Sequence, residues 1–507
     1  VISRRWWMPA TPVLTNIGTS RGLPISCFLN AAADSIAGGG GIFPTISENA
    51  VLGKGGGGLG TYWGHLRGNG AKLSTGGHSS GIIPFLKIQD SSLLAVNQAG
   101  ARRGAGAVYL PINHPDIEEF LHIRRPTGDE NRRCLNLHHG VCVDDGFMQA
   151  VEEGKTFNLV CPNSGEVTDT LDARAMWKKL LMSRVETGEP YLLFRSTVNR
   201  SQPEAYKAKG LSVDQSNLCV EITLPTSPGT VEEGGRTAVC CLGSVNAATY
   251  DEWGASEDRK NLVYRTAVKA LDNVLDVFIM RASKIPGYEK AVFSARQGRD
   301  IGLGVMGWFD YLHQRLIPFE SIEARMHNKV FFKEFFDLSN KASEDLAEER
   351  GPAPDGGPYR NVNRQAIAPT ASIGFIAAAS ACIEPWPGIA YAHKTLSGTF
   401  QVRNPGFTKL LEEKYPEHNN DETWKSIIEN SGSVQHFSWL SDDDKAVFKT
   451  AYEINQREIV QQAGDRQPYI SQAQSLNLFF APDSNGQISA KYLHDVHMSA
   501  WKLGVKS

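Results

Sequence analysis

The sequence predicts an α/β fold, on two patterns and one composition. Short strand-like apolar runs alternate with longer helical ones, the order expected of sheets whose strands are joined by helices. Glycine clusters punctuate the first 110 residues, where tight turns and close backbone approach are the usual reason for such density. The chain has 507 residues, of which 41% are apolar and 49 are Gly, an ordinary globular balance. With 52 Lys+Arg against 55 Asp+Glu, the net charge of −3 excludes a disordered polyelectrolyte and argues against bulk electrostatic binding to nucleic acid. The length suits about three domains or one large barrel.

The elements follow in order. Val1–Ala10 carries Arg4-Arg5 with no apolar segment behind it, so it does not read as a secretory signal. The glycines at 38–41, 55–58, 76–77 and 100–106 are interleaved with apolar segments such as Ile82–Ile88 and Ala107–Ile112, which argues against a flexible linker. Val108–Leu110, Leu135–Val143 and Tyr191–Phe194 read as strands, and Leu171–Val185 and Glu257–Ala282 as helices. In the last, Val263, Ala267, Leu271, Val274, Leu275 and Phe278 form one apolar stripe. Glu320–Arg350 is helical and stops at Gly351-Pro352. A charged, mostly helical stretch at 407–467 reads as an insertion within a single domain spanning 1–507. Ser475–Phe480 reads as a late strand, and a helix from Ser489 puts Tyr492, Leu493, Val496 and Leu503 on one face with Gly504 as its cap. The most apolar stretch, Ile373–Ile383, is far shorter than the ~18 residues of a membrane span. The expectation is a cytoplasmic protein with neither membrane nor nucleic acid as partner.

Eight cysteines, at 27, 134, 142, 161, 219, 240, 241 and 382, are too few for a disulfide scaffold and contain no CxxC. Two glycine runs, Gly53–Gly58 and Gly302–Gly307, imitate the dinucleotide fingerprint, but residues 293–300 are too polar for the buried strand that fingerprint needs. A nicotinamide dehydrogenase is therefore disfavoured. Cys134, His138, His139 and Cys142 resemble a zinc set; adjacent strand residues point to opposite faces, so these read as a barrel strand, and no metal site is expected. In Ser216–Glu221, read as extended, Asn217, Cys219 and Glu221 alternate onto one side and present an amide, a thiol and a carboxylate together. Cysteines also stand at Ser26–Leu29 and Val239–Asn246. Ala368–Gly374 is a Pro/Thr/Ser turn leading into a small-residue helix, whose free N–H groups and hydroxyls suit a phosphate, with Pro9–Pro12 as a second hydroxyl source.

Taken in order, these motifs resemble the large, catalytic subunit of ribonucleotide reductases. The likeness runs through PATPVLTN (9–16), SCFLN (26–30), GLG (58–60), GARRGAGAVYLPINHPDIEEF (100–120), NLCVEI (217–222) and CCLGSVN (240–246). It continues through RDIGLGVMG (299–307), PTASIGFI (369–376), IEPW (383–386) and SLNLF (475–479). The resemblance implies a ten-stranded α/β barrel of two five-stranded halves with a central finger loop. It implies that Cys219 carries a thiyl radical that removes and returns the substrate's 3′-hydrogen. Glu221 would be the base on the 3′-hydroxyl, Asn217 a ribose ligand, and Cys27 with Cys240 the reducing pair. Cys240 is preferred to Cys241 because it keeps the family's spacing to Asn246. Thr11, Ser26, Pro369, Thr370, Ala371 and Ser372 would bind substrate, and Asp34 and Arg67 a deoxynucleoside triphosphate or ATP effector.

The sequence begins a few residues before PATP, so no N-terminal ATP-cone is expected. Trp501–Ser507 ends near where relatives with a separate radical-generating subunit carry a Tyr-Tyr pair and a redox-cysteine tail. Two classes stay open. In class I, which the compact motifs favour, a metal-containing small subunit supplies the radical, the chain binds no cofactor itself, and diphosphates are the expected substrates. In class II, adenosylcobalamin is bound directly. A thioredoxin- or glutaredoxin-type reductant and a homodimer are further expected partners, and the cytoplasm would be a host's if the source is viral. A barrel that binds nucleotides without catalysis is the remaining alternative; it would require one of the three thiols to be missing.

Overall fold

The structure, a computed structural model, describes residues 1–20, 22–98, 102–395 and 398–507. The start of the Gly100–Gly106 run lies outside them. Eight strands make one sheet: β1 (Trp7–Pro9), β2 (Cys27–Ala31), β3 (Gly58–Tyr62), β4 (Gly106–Pro111), β5 (His138–Val143), β6 (Tyr191–Phe194), β7 (Ala238–Asn246) and β8 (Ile301–Met306). β2, β3, β4, β5 and β6 run side by side in parallel, one five-stranded half. β7 joins it antiparallel to β2, pairs antiparallel with β1 further along, and carries β8 in parallel on its other edge. Among the described residues the sheet continues beyond β8 through isolated parallel bridges, Leu303 to Gln365 and Ile367 to Gln474. The second half thus has three regular strands and two extended segments.

Every residue of β2, β4, β7 and β8 is buried, as in a sheet covered on both faces. Alternation divides the faces. Phe28, Val239, Cys241 and Val245 join the outer core under the helices, while Cys27, Leu29, Ala238, Cys240 and Leu242 join an inner cluster with Ile222 and Leu224. Those last two belong to a loop that threads the barrel. The glycines of β3 make room for it: a Cβ on Gly60 would lie 2.0 Å from the Ser216 carbonyl oxygen, and one on Gly58 3.2 Å from Leu218. The second fingerprint-like run, Gly302–Gly307, is itself strand β8 and its cap, and a Cβ added at Gly304 would lie 2.6 Å from the Ala366 carbonyl oxygen.

The long helices Glu257–Ala282 and Ile322–Arg350 cover the outside, each started by a serine (Ser256, Ser321) whose hydroxyl accepts an N–H of the first turn. Ile389, Ala390 and described residues of 407–448 pack into a small core of their own that includes Phe407, Leu411, Trp424 and Phe448. The final helix is Ala490–Lys502, with Ser489 as N-cap and Gly504 at φ 72. Among the described residues no helix is long and apolar enough to cross a membrane.

Two strand expectations need correction. Leu135–Leu137 precedes β5 as irregular backbone, because Asp90 takes the N–H groups of Asn136 and Leu137 that a strand would use. Ser475–Phe480 is not a strand. After Ser475 donates to the Ile367 carbonyl the ladder stops, the Phe479 N–H turns to the Gln456 side chain, and the run's apolar residues lie against the outer core.

Candidate active site

The threading loop does not present Asn217, Cys219 and Glu221 by extended alternation. It turns: the Val220 N–H donates to the Asn217 carbonyl, and Val220 takes φ 69, costly for a β-branched residue. The turn puts Cys219 at the tip and folds the flanking side chains together, so that Asn217 Nδ2 donates to Glu221 Oε2 at 3.0 Å. The loop is anchored from several sides. Tyr109 Oη donates to the Asn217 carbonyl at 2.6 Å, Asn217 Oδ1 accepts the Ile222 N–H at 3.1 Å, and Ser216 Oγ donates to the Ile222 carbonyl at 2.7 Å.

Asn217 Nδ2 also donates to Cys27 Sγ at 2.9 Å, which ties the loop to β2. Across the antiparallel β2–β7 pair, Cys27 stands in register with Cys240 on the inner face. Directly opposed residues of such a pair have Cα separations compatible with a disulfide. Cys241 points the other way, into the outer core, and its Sγ donates to the Leu271 carbonyl at 3.1 Å.

A cavity of about 270 Å3 opens beside this group, lined by Cys27, Cys219, Glu221, Thr11, Ser26 and the turn 369–373. Asn217 and Cys240 lie just behind its wall. The helix Ala371–Ala377 begins at the cavity, and Thr370, at φ 38, accepts the Cys382 N–H on its hydroxyl at 2.7 Å. The Thr370 proton is thereby free to donate to a ligand. Cys219 also borders a second cavity of about 360 Å3 on its other side, lined by Tyr191, Val220 and Leu476.

Burial sets the electrostatics. It raises Glu221 to about 7, against the opposing Asn217 hydrogen bond. Burial first and the Glu221 charge second push the Cys219 and Cys27 thiols up, and burial does the same to Cys240. All three sulfurs therefore stay S–H, suited to giving hydrogen atoms rather than to attack as thiolates.

The family model described as "Ribonucleotide reductase, barrel domain" matches residues 25–355 and 355–507. The chain belongs to the ribonucleotide reductase family. A Frog virus 3 (isolate Goorha) relative, provisionally named a ribonucleoside-diphosphate reductase large subunit, is 44% identical over 99% of this chain and 84% of its own length. The ribonucleoside-diphosphate reductase large subunit of Invertebrate iridescent virus 3 is 36% identical over 100% of this chain and 85% of its own. Among solved structures, the Actinobacillus ureae class Id ribonucleotide reductase alpha subunit superposes with a TM-score of 0.85 at 34% identity, covering 100% of this chain and 86% of that one.

Other predicted residues of the reductase lie elsewhere. Asp34 and Arg67 do not border the cavity; they pair with each other, Nη2 to Oδ2 at 2.8 Å. His138 and His139, expected on opposite faces, converge instead on one carboxylate. Glu189, from the segment before β6, sets Oε1 2.5 Å from His138 Nδ1 and Oε2 3.0 Å from His139 Nδ1, because His138 is the first residue of β5 and its ring can fold over the strand end. Sequence reasoning missed Ser244. This residue lines the cavity and is 1% exposed, and its hydroxyl has no hydrogen-bond partner among the described residues. The signal was present, since Ser244 stands four residues after Cys240 on one strand and so shares its face.

Proposed function

We propose that this enzyme reduces ribonucleoside diphosphates to 2′-deoxyribonucleotides by a thiyl-radical route, as the large subunit of a class I reductase. A radical delivered to Cys219 Sγ removes the 3′-hydrogen. Glu221, near neutrality and facing the same cavity, accepts the 3′-hydroxyl proton. Cys27 gives its proton to the departing 2′-hydroxyl, which leaves as water. Cys27 and Cys240 together supply two electrons and become a disulfide, the second thiol hydrogen going to C2′; Glu221 returns its proton to the 3′-oxygen, and the 3′-hydrogen returns from Cys219, restoring its radical. The substrate phosphates rest on Thr11, Thr370, Ser372 and the N–H groups of the 369–372 turn, with Ser26 near the nucleoside. The closed barrel keeps water and other quenchers from the radical.

The observation that carries this reading is the convergence on one cavity of Cys219, Glu221 and a thiol pair in register. The diphosphate assignment draws on the relatives' names, and class I on the likeness to a class Id alpha subunit. The cavity on the far side of Cys219 suits radical entry from a small subunit without disturbing the substrate. Asp34 and Arg67 would open their ion pair to hold a nucleotide effector, a thioredoxin- or glutaredoxin-type protein would renew the thiols, and a homodimer acting in the cytoplasm is the working assembly.

The test is CDP reduction with dithiothreitol, adding either a metal-loaded small subunit or adenosylcobalamin. Product only with the small subunit supports class I; product with cobalamin alone makes it class II. No product in either arm overturns the mechanism. Cys219→Ala is expected to abolish turnover while CDP binding survives, and loss of both would mean the loop has been misassigned.

A further inference from the structure

The Thr370 hydroxyl is set by the Cys382 N–H that it accepts, so whatever fixes Cys382 also fixes Thr370. Both ends of that bond stand on left-handed backbone, Thr370 at φ 38 and Cys382 at φ 37, and Ala378 between them takes φ 54. Three such residues, none of them glycine, persist only where the surroundings hold them. The hold comes from the short helix Trp308–His313, which follows β8. At its start the Gly307 and Trp308 N–H groups donate to the Ser380 and Cys382 carbonyls at 2.9 and 3.3 Å. In return Asp310 Oδ2 accepts the Ser380 N–H at 2.5 Å, and Oδ1 accepts the Trp386 indole N–H at 2.7 Å. Asp310 is buried, and among the described residues its surroundings supply hydrogen-bond donors and no paired cation. Burial raises it to about 6, so at neutral pH it is ionised and both oxygens accept. An uncharged carboxamide in its place could accept only one of the two N–H groups.

We propose that Asp310 is a positioning residue for substrate: by clamping the segment 380–386 it fixes the Cys382 N–H on Thr370, and so aims the Thr370 proton at the substrate's phosphates. The inference rests on the phosphate placement proposed above for the 369–372 turn. Without the clamp the strained backbone at 378 and 382 relaxes, the N–H leaves Thr370, and the hydroxyl turns freely. One oriented hydrogen bond to a charged ligand is then lost. That bond is made on binding and is unchanged through the radical steps, so affinity falls while the chemistry keeps its rate.

The test measures Kd for CDP by equilibrium dialysis on the chain without a radical source, and KM and kcat on the complete system. Asp310→Asn is expected to raise Kd and KM for CDP about five- to tenfold, with kcat within about twofold. Cytidine, which carries no phosphate, should compete with the same Ki against parent and variant. The decisive measurement is a double-mutant cycle with Thr370→Val. If Asp310 acts through Thr370, adding Asp310→Asn to Thr370→Val raises Kd by no more than about twofold; full additivity overturns the proposal. Equal losses for CDP and cytidine, or a lower kcat with KM unchanged, also overturn it, since a merely disordered site would show them. Should Asp310→Asn fail to fold, Trp386→Phe removes one of the two donors and leaves the carboxylate. It is expected to raise Kd for CDP about two- to threefold in the same cycle, and an unchanged Kd overturns the proposal. If Thr370→Val by itself leaves CDP binding untouched, the proposed phosphate site fails, and the clamp's role with it.

Discussion

Cys27 and Cys240 stand opposite each other in the β2–β7 register, 213 residues apart in sequence, while Cys241, next in the chain, faces the other side of the sheet. Pleating alone separates the two neighbours. Cys240→Ser is therefore expected to stop multiple turnover with dithiothreitol as reductant, and Cys241→Ser to retain it within about twofold, since its hydroxyl keeps the bond to the Leu271 carbonyl. CDP turnover of the two variants checks this, and loss in both would mean the pairing is wrong.

Glu221 provides a pH dependence. Burial lifts its folded-state pKa from 4.5 to about 7, so the folded protein holds this proton more tightly than the unfolded chain between those values. The stabilising term is fully present below about 4.5 and is lost as pH rises through about 7. Glu221→Gln cannot ionise and still accepts from Asn217. Its stability relative to the parent should rise across that window by up to about 3 kcal/mol, measured by urea denaturation at pH 5 and pH 8. Its turnover should be nearly abolished, and the parent's rate should climb with pH through about 7.

At Gly60 the barrel wall leaves no room for a side chain beside the threading loop. A methyl group there would meet the Ser216 carbonyl at 2.0 Å and Asn217 Cα at 3.0 Å, so backbone must shift. Gly60→Ala should cost about 1–3 kcal/mol, seen as a lower Tm, and should reduce turnover further than the stability loss explains. An unaltered kcat would show that the loop adjusts without moving Cys219.

Ser244 lines the cavity and carries a buried hydroxyl with no hydrogen-bond partner among the described residues. Ser244→Ala should raise KM for CDP about tenfold or more through loss of a hydrogen bond to a charged ligand, with Tm unchanged or slightly higher. An unchanged KM would remove Ser244 from the substrate site.

Much of the site is legible in the sequence because the residues that carry the chemistry lie in short, local motifs. Asn217, Cys219 and Glu221 fall within five residues, and Thr370 and Ser372 within three, so their juxtaposition needs little more than one turn of chain. The geometry behind that juxtaposition is not legible. Extended alternation puts 217 and 221 on one side but about 13 Å apart; only the turn brings them into contact and exposes Cys219 at a tip, and it depends on Val220 adopting a left-handed conformation that no composition rule predicts for valine. Asp310 left no local signal, since its partners Ser380 and Trp386 are 70 and 76 residues away.

By itself the sequence determined the alternating α/β class, the long helices with their apolar stripes and glycine ends, and which residue types stand in the motifs. These depend on neighbours within a few positions, where periodicity and capping chemistry act directly. Tertiary structure alone decided that Cys240 faces Cys27, that Ser475–Phe480 lies on the core as irregular backbone, that both histidines of β5 share Glu189, and that the three thiols are held protonated. Each of these rests on register and burial, which arise only when distant segments pack together and remove the interior from water.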